Sequence, residues 1–239
     1  MKLALLQRAL VASREGRAAA LLTELKSGRQ GFWENGEASG DVPFDDALKA
    51  GVQKALAQDK NQTVETAAGP VFVEVFNPRL RCIIVGAVHI AQPLAQMAAL
   101  AGYLVTIVDP RTAFATDERF PGIELSTDWP DEALEKLKPN KRTAIVTLTH
   151  DPKLDDPALA VALRTDAFYI GALGSKRTHA KRLQRLGELG FGDNEMARIH
   201  GPVGLDIGAV SPSEIALSVM AQVTLVLRGD RRGGKAEAA

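Results

Sequence analysis

The sequence predicts an α/β protein, in which a small N-terminal α+β domain is followed along the chain by a Rossmann-like parallel sheet domain. Two observations predict this class. From Arg81 onward, short apolar runs alternate with helical stretches, which is typical of a parallel sheet covered by helices on both faces. Before that point the chain shows alternating segments and one amphipathic helix, which indicates a separate module. We therefore expect an N-terminal domain over 1–77, a cofactor-binding domain over 78–228 and a disordered tail over 229–239.

The N-terminal elements follow from local patterns. Strands are predicted over 18–25 and around Phe32, with a turn at Gly28 between them. An apolar stripe predicts a helix over 45–58, and alternation predicts a hairpin formed by 63–66 and 71–76. Asn77 precedes a proline and is therefore restricted to extended geometry, which ends the module.

The second domain begins with a strand, a turn, a helix and a second strand. Ile83, Ile84 and Val85 form an apolar run that Gly86 ends. A helix is expected as far as Ala101, with Gly102 as its stop, before a strand over 104–108.

Later elements continue the alternation. They are a helix capped by Asp128, a strand over 143–148, a helix over 157–163 capped by Asp156, a strand over 168–173, a basic helix over 175–189 and a final helix over 212–227 with Ser211 and Glu214 as a capping box. On the basic helix, we expect Lys181, Arg182 and Arg185 to form a solvated face.

Composition excludes several classes of protein. Lysine plus arginine equals aspartate plus glutamate at 29 each in 239 residues, so the charge balance suggests neither nucleic acid nor an anionic membrane as partner. No segment is long enough for a membrane span, and no signal peptide is recognisable, so a cytoplasmic location is expected. Cys82, the single cysteine, falls in a predicted buried strand and excludes an intramolecular disulfide.

The turn after the first strand departs from the dinucleotide-binding fingerprint. Gly86 fits the first glycine of G-x-G-x-x-G, but Val88 and Ala91 replace the second and third. A branched side chain at Val88 is expected to push phosphates outward, which disfavours ordinary NAD binding. Asp109, 23 residues beyond Gly86, is nevertheless placed to accept hydrogen bonds from a ribose.

Four polar loops follow predicted strands and should meet at one edge of the sheet. Together with the glycine-rich loop that carries Asp206, they supply the candidate cofactor-binding residues Gly86, Ala87, Val88, His89, Asp109, Arg111, Thr149, His150, Asp151, Gly171, Gly174, Ser175, Lys176, Arg177 and Asp206.

The individual roles differ. Arg111 is a candidate for phosphate, and it could also pair with a neighbouring carboxylate. His89 either lines the crevice or points into solvent. The segment from Gly171 to Arg177 is the strongest anion candidate, because Ser175 can cap a helix whose first turn carries two cations, an arrangement that a bound phosphate would stabilise. The four histidines lack the spacing of a zinc site, and no nucleophile–base pair is visible, so we expect neither a metal centre nor catalytic residues.

These loops resemble the XdhC/CoxI family, the xanthine dehydrogenase accessory factors. The resemblance lies in GAVHIAQPLA from Gly86, VDPR from Val108, RFPG from Arg119, LTHDPKLDDPAL from Leu148, YIGALGSKRTHAKR from Tyr169 and GPVGLDIGAVSPSEIA from Gly201. It implies a Rossmann-like domain that binds the molybdenum cofactor, as molybdopterin or its dinucleotide form, and holds it transiently.

The resemblance also implies a role and partners. The protein would support sulfuration of the cofactor, with a cysteine desulfurase as donor, and deliver it to an apo molybdenum hydroxylase. Many relatives have cysteines in the N-terminal domain that this chain lacks, so passage of sulfur through this protein is not expected. The sequence leaves a homodimer open. The alternatives are an NAD(P)-dependent oxidoreductase, which Asp109 favours and Val88 opposes, and an interaction adaptor, which has no need for a polar crevice.

Overall fold

A computed structural model describes residues 3–229. The chain divides between Arg79 and Leu80 into two compact units, each treated by itself below. The predicted disordered tail lies outside the described residues, apart from Gly229.

The first unit is an antiparallel sheet with two helices. Its elements are α1 (Leu3–Arg14), β1 (Ala19–Glu24), β2 (Gln30–Glu34), β3 (Glu37–Gly40), α2 (Asp46–Gln58), β4 (Gln62–Thr66) and β5 (Gly69–Phe76). The strand order is β3-β2-β1-β5-β4. Leu48, Val52 and Ala55 of α2 pack with Val71 and Val73 in the core.

Two elements of this unit were not predicted. Helix α1 buries only Ala9 and Ala12, which pack with Phe32, so its apolar stripe is too narrow to recognise in the sequence. Strand β3 is exposed along its whole length at the edge of the sheet and therefore shows no apolar alternation.

The second unit is a Rossmann-like α/β domain. Its elements are β6 (Arg81–Val85), α3 (Ala91–Leu100), β7 (Leu104–Val108), β8 (Glu124–Ser126), α4 (Pro130–Leu137), β9 (Thr143–Thr147), α5 (Pro152–Leu163), β10 (Tyr169–Ala172), α6 (Lys176–Glu188), α7 (Asp193–Met196), β11 (Ile199–His200) and α8 (Pro212–Arg228).

Its six strands are all parallel, in the order β11-β10-β9-β6-β7-β8. This is the strand order of a dinucleotide-binding Rossmann fold, and the order reverses between β6 and β9. Apolar clusters cover both faces of the sheet, which explains why the strands read as continuous apolar runs. The predicted fold class is confirmed. The very short β8, β11 and α7 were not predicted.

Two predicted helix caps are wrong. Helix α4 begins after Trp129 without a side-chain cap, and Asp128 pairs instead with Lys136 at 2.9 Å. Helix α5 begins at Pro152, because the earlier Asp151-Pro152 already supplies a capping carboxylate followed by a proline. Asp156 therefore lies inside the helix. The caps at Ser175 and Ser211 are confirmed.

Candidate functional site

The loops after β6 and β9 flank the crevice where the strand order reverses, and they approach each other closely. Gly86, after β6, has φ +105, and a Cβ there would lie 2.6 Å from Cγ2 of Thr149, after β9. Glycine is thus required both by the backbone conformation and by the close approach. The structure brings the predicted loops after β6 and β9 together at the carboxyl edge of the sheet.

Asp109 directly follows β7 and is fully buried. Its Oδ2 accepts from the backbone N–H of Ala87 at 2.8 Å and from Nη2 of Arg111 at 2.7 Å, and its Oδ1 accepts from the backbone N–H and Nε of Arg111 at 3.0 and 2.9 Å. A carboxylate has about four lone-pair sites, and here all are used. The ribose contact predicted for Asp109 stays a prediction, and it requires Arg111 to move.

The pKa of Asp109 reflects competing effects. Burial pushes the pKa upward, but the hydrogen bonds from Arg111 and Ala87 and the charge of Arg111 outweigh it. The pKa therefore lies below its usual value, and the carboxylate is charged.

Arg111 is anchored on Asp109 and remains partly exposed to solvent. Its side chain is 39% exposed, and its guanidinium lies 4.6 Å from the centre of the Phe114 ring. Hydrogen bonds to Asp109 hold the pKa of Arg111 above its usual value, and the charges of Asp151 and Asp155 contribute. These two acids follow β9, so Arg111 experiences the negative charge of that side of the crevice.

Arg119, which the sequence reasoning did not select as a site residue, fixes the same turn. Its Nη1 donates to the carbonyls of Ala87 at 2.8 Å and Phe114 at 2.7 Å. Ala87 is thus held by Asp109 at its N–H and by Arg119 at its carbonyl. The RFPG motif was the available signal for this contact.

Val88 and His89 differ from one another. Val88 is half-buried and packs against the apolar cluster under the turn, and its predicted effect on a phosphate stays a prediction. His89 is exposed, and no side chain caps the start of α3 that follows it.

The loop after β9 is stabilised by short-range hydrogen bonds. Thr149 donates its hydroxyl to Asp155 at 2.7 Å, while its Oγ1 accepts from the N–H of Asp151 at 3.0 Å. Asp151 caps α5 by accepting from the N–H of Lys153. His150 is exposed at φ +62, a conformation in which histidine is several-fold enriched.

The remaining predicted residues fall into two further places. Gly174, Lys176 and Asp206 line one pocket of about 490 Å³ between the start of α6 and the loop before α8. Gly171 is buried in β10, where a Cβ would lie 2.5 Å from Val203, so it serves packing. Ser175 caps α6 and is engaged with Thr178.

Arg177 lies elsewhere, in a pocket of about 220 Å³ between α5 and α6 that also includes His150. The expected solvated face of α6 is wrong at two positions. Arg182 is buried, with 2% of its side chain exposed, beside Asp155, and Arg185 forms an ion pair with Asp156. The helix turns this face toward α5, so its arginines meet carboxylates there.

Metal clusters and membrane helices are both absent from the described residues. Between residues 3 and 229 no group of three or more histidine, cysteine or acidic side chains could hold a metal ion. Nor is any helix in that range long and apolar enough to cross a membrane.

Residues 82–223 match the XdhC Rossmann domain family. The chain belongs to the XdhC family. The resemblance drawn from the motifs is therefore confirmed, and the matched XdhC region contains every predicted site residue as well as Arg119, Asp155 and Arg182.

Two curated relatives are consistent with this family assignment. The chain is 34% identical over 177 residues to a protein of Bacillus subtilis (strain 168) named as a probable xanthine dehydrogenase subunit, covering 71% of this chain and 52% of that protein. It is 37% identical over 151 residues to the molybdenum cofactor insertion chaperone PaoD of Escherichia coli (strain K12), covering 63% of this chain and 41% of that protein. The chain thus spans about half or less of these XdhC-type relatives.

A solved structure supports the fold. The crystal structure of a xanthine dehydrogenase from Bacillus halodurans superposes with a TM-score of 0.70 at 24% identity, covering 97% of this chain and 66% of that one. At this identity the likeness supports the XdhC fold alone.

Proposed function

We propose that this chain is an accessory chaperone that binds the molybdenum cofactor, supports its sulfuration and delivers it to a molybdenum hydroxylase of the xanthine dehydrogenase type. The observation that carries the proposal is the crevice at the β6–β9 reversal inside the XdhC domain, where Gly86 contacts Thr149 and Asp109 connects Ala87 to Arg111. Ligands of open α/β sheets bind at this position. The names of the two curated relatives point to the same cofactor and enzyme class.

The phosphate end of the cofactor would lie at the β6 turn. Arg111 offers a partly exposed guanidinium there, and the first turn of α3 has no side-chain cap. A cation beside a glycine turn is a suitable partner for a phosphate. Asp109 acts through Arg111, because it holds the guanidinium in place from beneath. A dinucleotide form would place its second nucleotide along this side.

The metal–dithiolene end would lie at the β9 loop. His150 and Asp151 are both exposed in this loop, and the charge of Asp151 acts on Arg111. We assign them to contacting that end of the cofactor during transfer. The fold tolerates changes here only within limits, because Asp151 caps α5 and His150 has a positive φ.

Sulfur would come from a cysteine desulfurase without passing through this chain. Cys82 is completely buried in β6, and burial raises the pKa of its thiol to about 12. A thiol of this kind is neither accessible nor ionised at neutral pH. Cys82→Ala should therefore support sulfuration as well as wild type does, and the native chain should resist thiol-labelling reagents. A labelled native thiol, or loss of activation in the variant, would contradict this assignment.

Reconstitution tests the function directly. Apo-hydroxylase, cofactor and desulfurase are mixed with wild-type chain, with the His150→Asn/Asp151→Asn variant, or with no accessory protein. Asparagine retains helix capping and tolerates positive φ, so the variant should fold. Asp166→Asn, an exposed change before β10 at the opposite edge of the sheet, is the matched control.

We expect wild type and the control to raise hydroxylase activity and the double variant to fail. Equal activity in all reactions would exclude the chaperone role. The rival function, an NAD(P)-dependent oxidoreductase, is favoured by the strand order and the acid at the end of β7. Oxidation of NAD(P)H by the chain alone would establish that rival instead.

A further inference from the structure

A pocket of about 220 Å³ between the N-terminal half of α5 and α6 has an excess of positive charge. Its ionisable lining consists of Arg177, Lys181, Arg182 and Arg185 facing Asp155 and Asp156, with His150 at the mouth. Four cations against two carboxylates leave a surplus of two positive charges when the histidine is neutral. This pocket could bind a ligand whether or not the crevice at the β6–β9 reversal has the function proposed above.

Arg182 contributes donors that the protein does not use. Only 2% of its side chain is exposed. Its Nη2 donates to the carbonyl of Leu173 at 2.9 Å, but Nε and Nη1 have no hydrogen-bond partner among the described residues. A buried guanidinium with unpaired N–H groups is costly, and such groups are normally satisfied by a partner.

The nearby carboxylates cannot satisfy it. Oδ1 of Asp155 accepts from Thr149, and its Oδ2 lies 3.6 Å from Nη2 of Arg182, which is too long for a hydrogen bond. Asp156 is engaged with both Nε and Nη2 of Arg185. The charges of Asp155 and Asp156 therefore offset the desolvation of Arg182 only in part, and its Nε and Nη1 stay without acceptors among the described residues.

Burial accordingly shifts both members of the inner pair away from their charged forms. It raises the pKa of Asp155 and lowers the pKa of Arg182, although a guanidinium remains protonated in proteins. Arg177 and Lys181 stand exposed at the rim, and neither has an ion-pair partner within residues 3–229.

We propose that this pocket binds a phosphate group, with Arg182 donating from its floor and Arg177 and Lys181 neutralising charge at its rim. A carboxylate carries one negative charge, half of the positive surplus of the lining, and has only two oxygens to share between Arg182 and the rim cations. A tetrahedral oxyanion presents oxygens in several directions, and its double negative charge matches the surplus of the lining. The phosphate is either the free ion or a monoester group of a larger molecule.

Titration calorimetry of the full chain in phosphate-free buffer tests the site, with inorganic phosphate and glycerol phosphate as probes. Wild type should bind at least one of them, and Arg182→Met should weaken binding at least tenfold. Lys181→Gln should weaken it severalfold and reduce its salt dependence. Lys54→Gln, which removes an exposed cation from α2, should leave affinity unchanged.

Tighter binding of the ester than of inorganic phosphate would identify a larger ligand, and the reverse would identify the free ion. Circular dichroism establishes whether Arg182→Met folds. If it does not, the rim variant Arg177→Gln/Lys181→Gln decides, since both side chains are exposed. Absence of binding by wild type, or equal affinity in wild type and the rim variant, would overturn the site.

Discussion

Two buried aspartates at the carboxyl edge of the sheet, Asp109 and Asp155, each face an arginine, and their surroundings differ. Asp109 has both oxygens fully engaged, while its partner Arg111 is 39% exposed. Asp155 and its partner Arg182 are each only 2% exposed, and the distance between them is 3.6 Å. The first carboxylate is satisfied and the second ion pair is not.

This difference in hydrogen bonding indicates a structural role for one ion pair and a ligand-binding role for the other. A carboxylate with every lone pair used serves to position its neighbours, since it has nothing left to offer a ligand. A buried guanidinium with unused donors has capacity for a ligand and contributes little to stability as it stands. The Asp109 pair is therefore expected to matter for folding and the Arg182 pair for recognition.

Asp109→Ala should have the largest effect on stability. It leaves the N–H of Ala87 and the guanidinium of Arg111 without their acceptor, and removing one partner of such a pair costs about 2–4 kcal/mol, less than for a fully enclosed pair because Arg111 reaches solvent. Urea denaturation measures the loss. Asp128→Ala, which breaks an exposed pair with Lys136, is the control and should change stability little.

Arg182→Met should cost less, about 1 kcal/mol or below. The methionine fills a similar apolar volume, and it removes a buried guanidinium whose Nε and Nη1 lack partners among the described residues, which offsets the loss of the charge facing Asp155. The same denaturation experiment provides the comparison with Asp109→Ala. A larger loss for Arg182→Met than for Asp109→Ala would reverse the roles assigned to the two pairs.

The pH dependence should have opposite signs at the two aspartates, with the smallest amplitude of the three effects. The lowered pKa of Asp109 stabilises the fold above the unfolded pKa of about 3.9, and that contribution is lost as the pH falls through the lower folded value. The raised pKa of Asp155 works the other way, since its contribution is lost as the pH rises through the folded value.

Unfolding free energies of wild type, Asp109→Asn and Asp155→Asn, measured from about pH 3 to pH 7, check these signs. The difference in unfolding free energy between wild type and Asp109→Asn should disappear below about pH 4. Above that pH, the unfolding free energy of Asp155→Asn should increase relative to that of wild type. Parallel curves for the two variants would show that the two environments are equivalent.

The sequence predicted what depends on local pattern. Runs such as Leu104–Val108 gave strand positions, and Ser175 and Ser211 gave helix starts, because a buried strand and a capping side chain both leave a signature in neighbouring residues. The candidate loops after β6 and β9 followed from topology. The exposed edge strand β3 left no such signature.

The interiors of the pockets could not be predicted in this way. Whether Arg182 faces solvent or α5 depends on how α6 rotates against its neighbour, and the spacing of its cations is the same in both cases. Likewise, Asp151-Pro152 and Asp156-Pro157 offer the same local start signal, and only the packed helix distinguishes them. The anchoring of Asp109 by Arg111, two residues away, was weighed from the sequence as one of two alternatives.

The double hold on Ala87 has a consequence for anyone who builds chimaeras from this family. The two peptide units that flank the Cα atom of Ala87 are fixed, one by Asp109 after β7 and the other by Arg119 from the segment before β8. The glycine turn and the β7–β8 connection therefore form a single module, although 32 positions separate Ala87 from Arg119. Exchanging the turn alone between homologues would separate it from Asp109 and Arg119, so the crossovers should be placed before β6 and after β8.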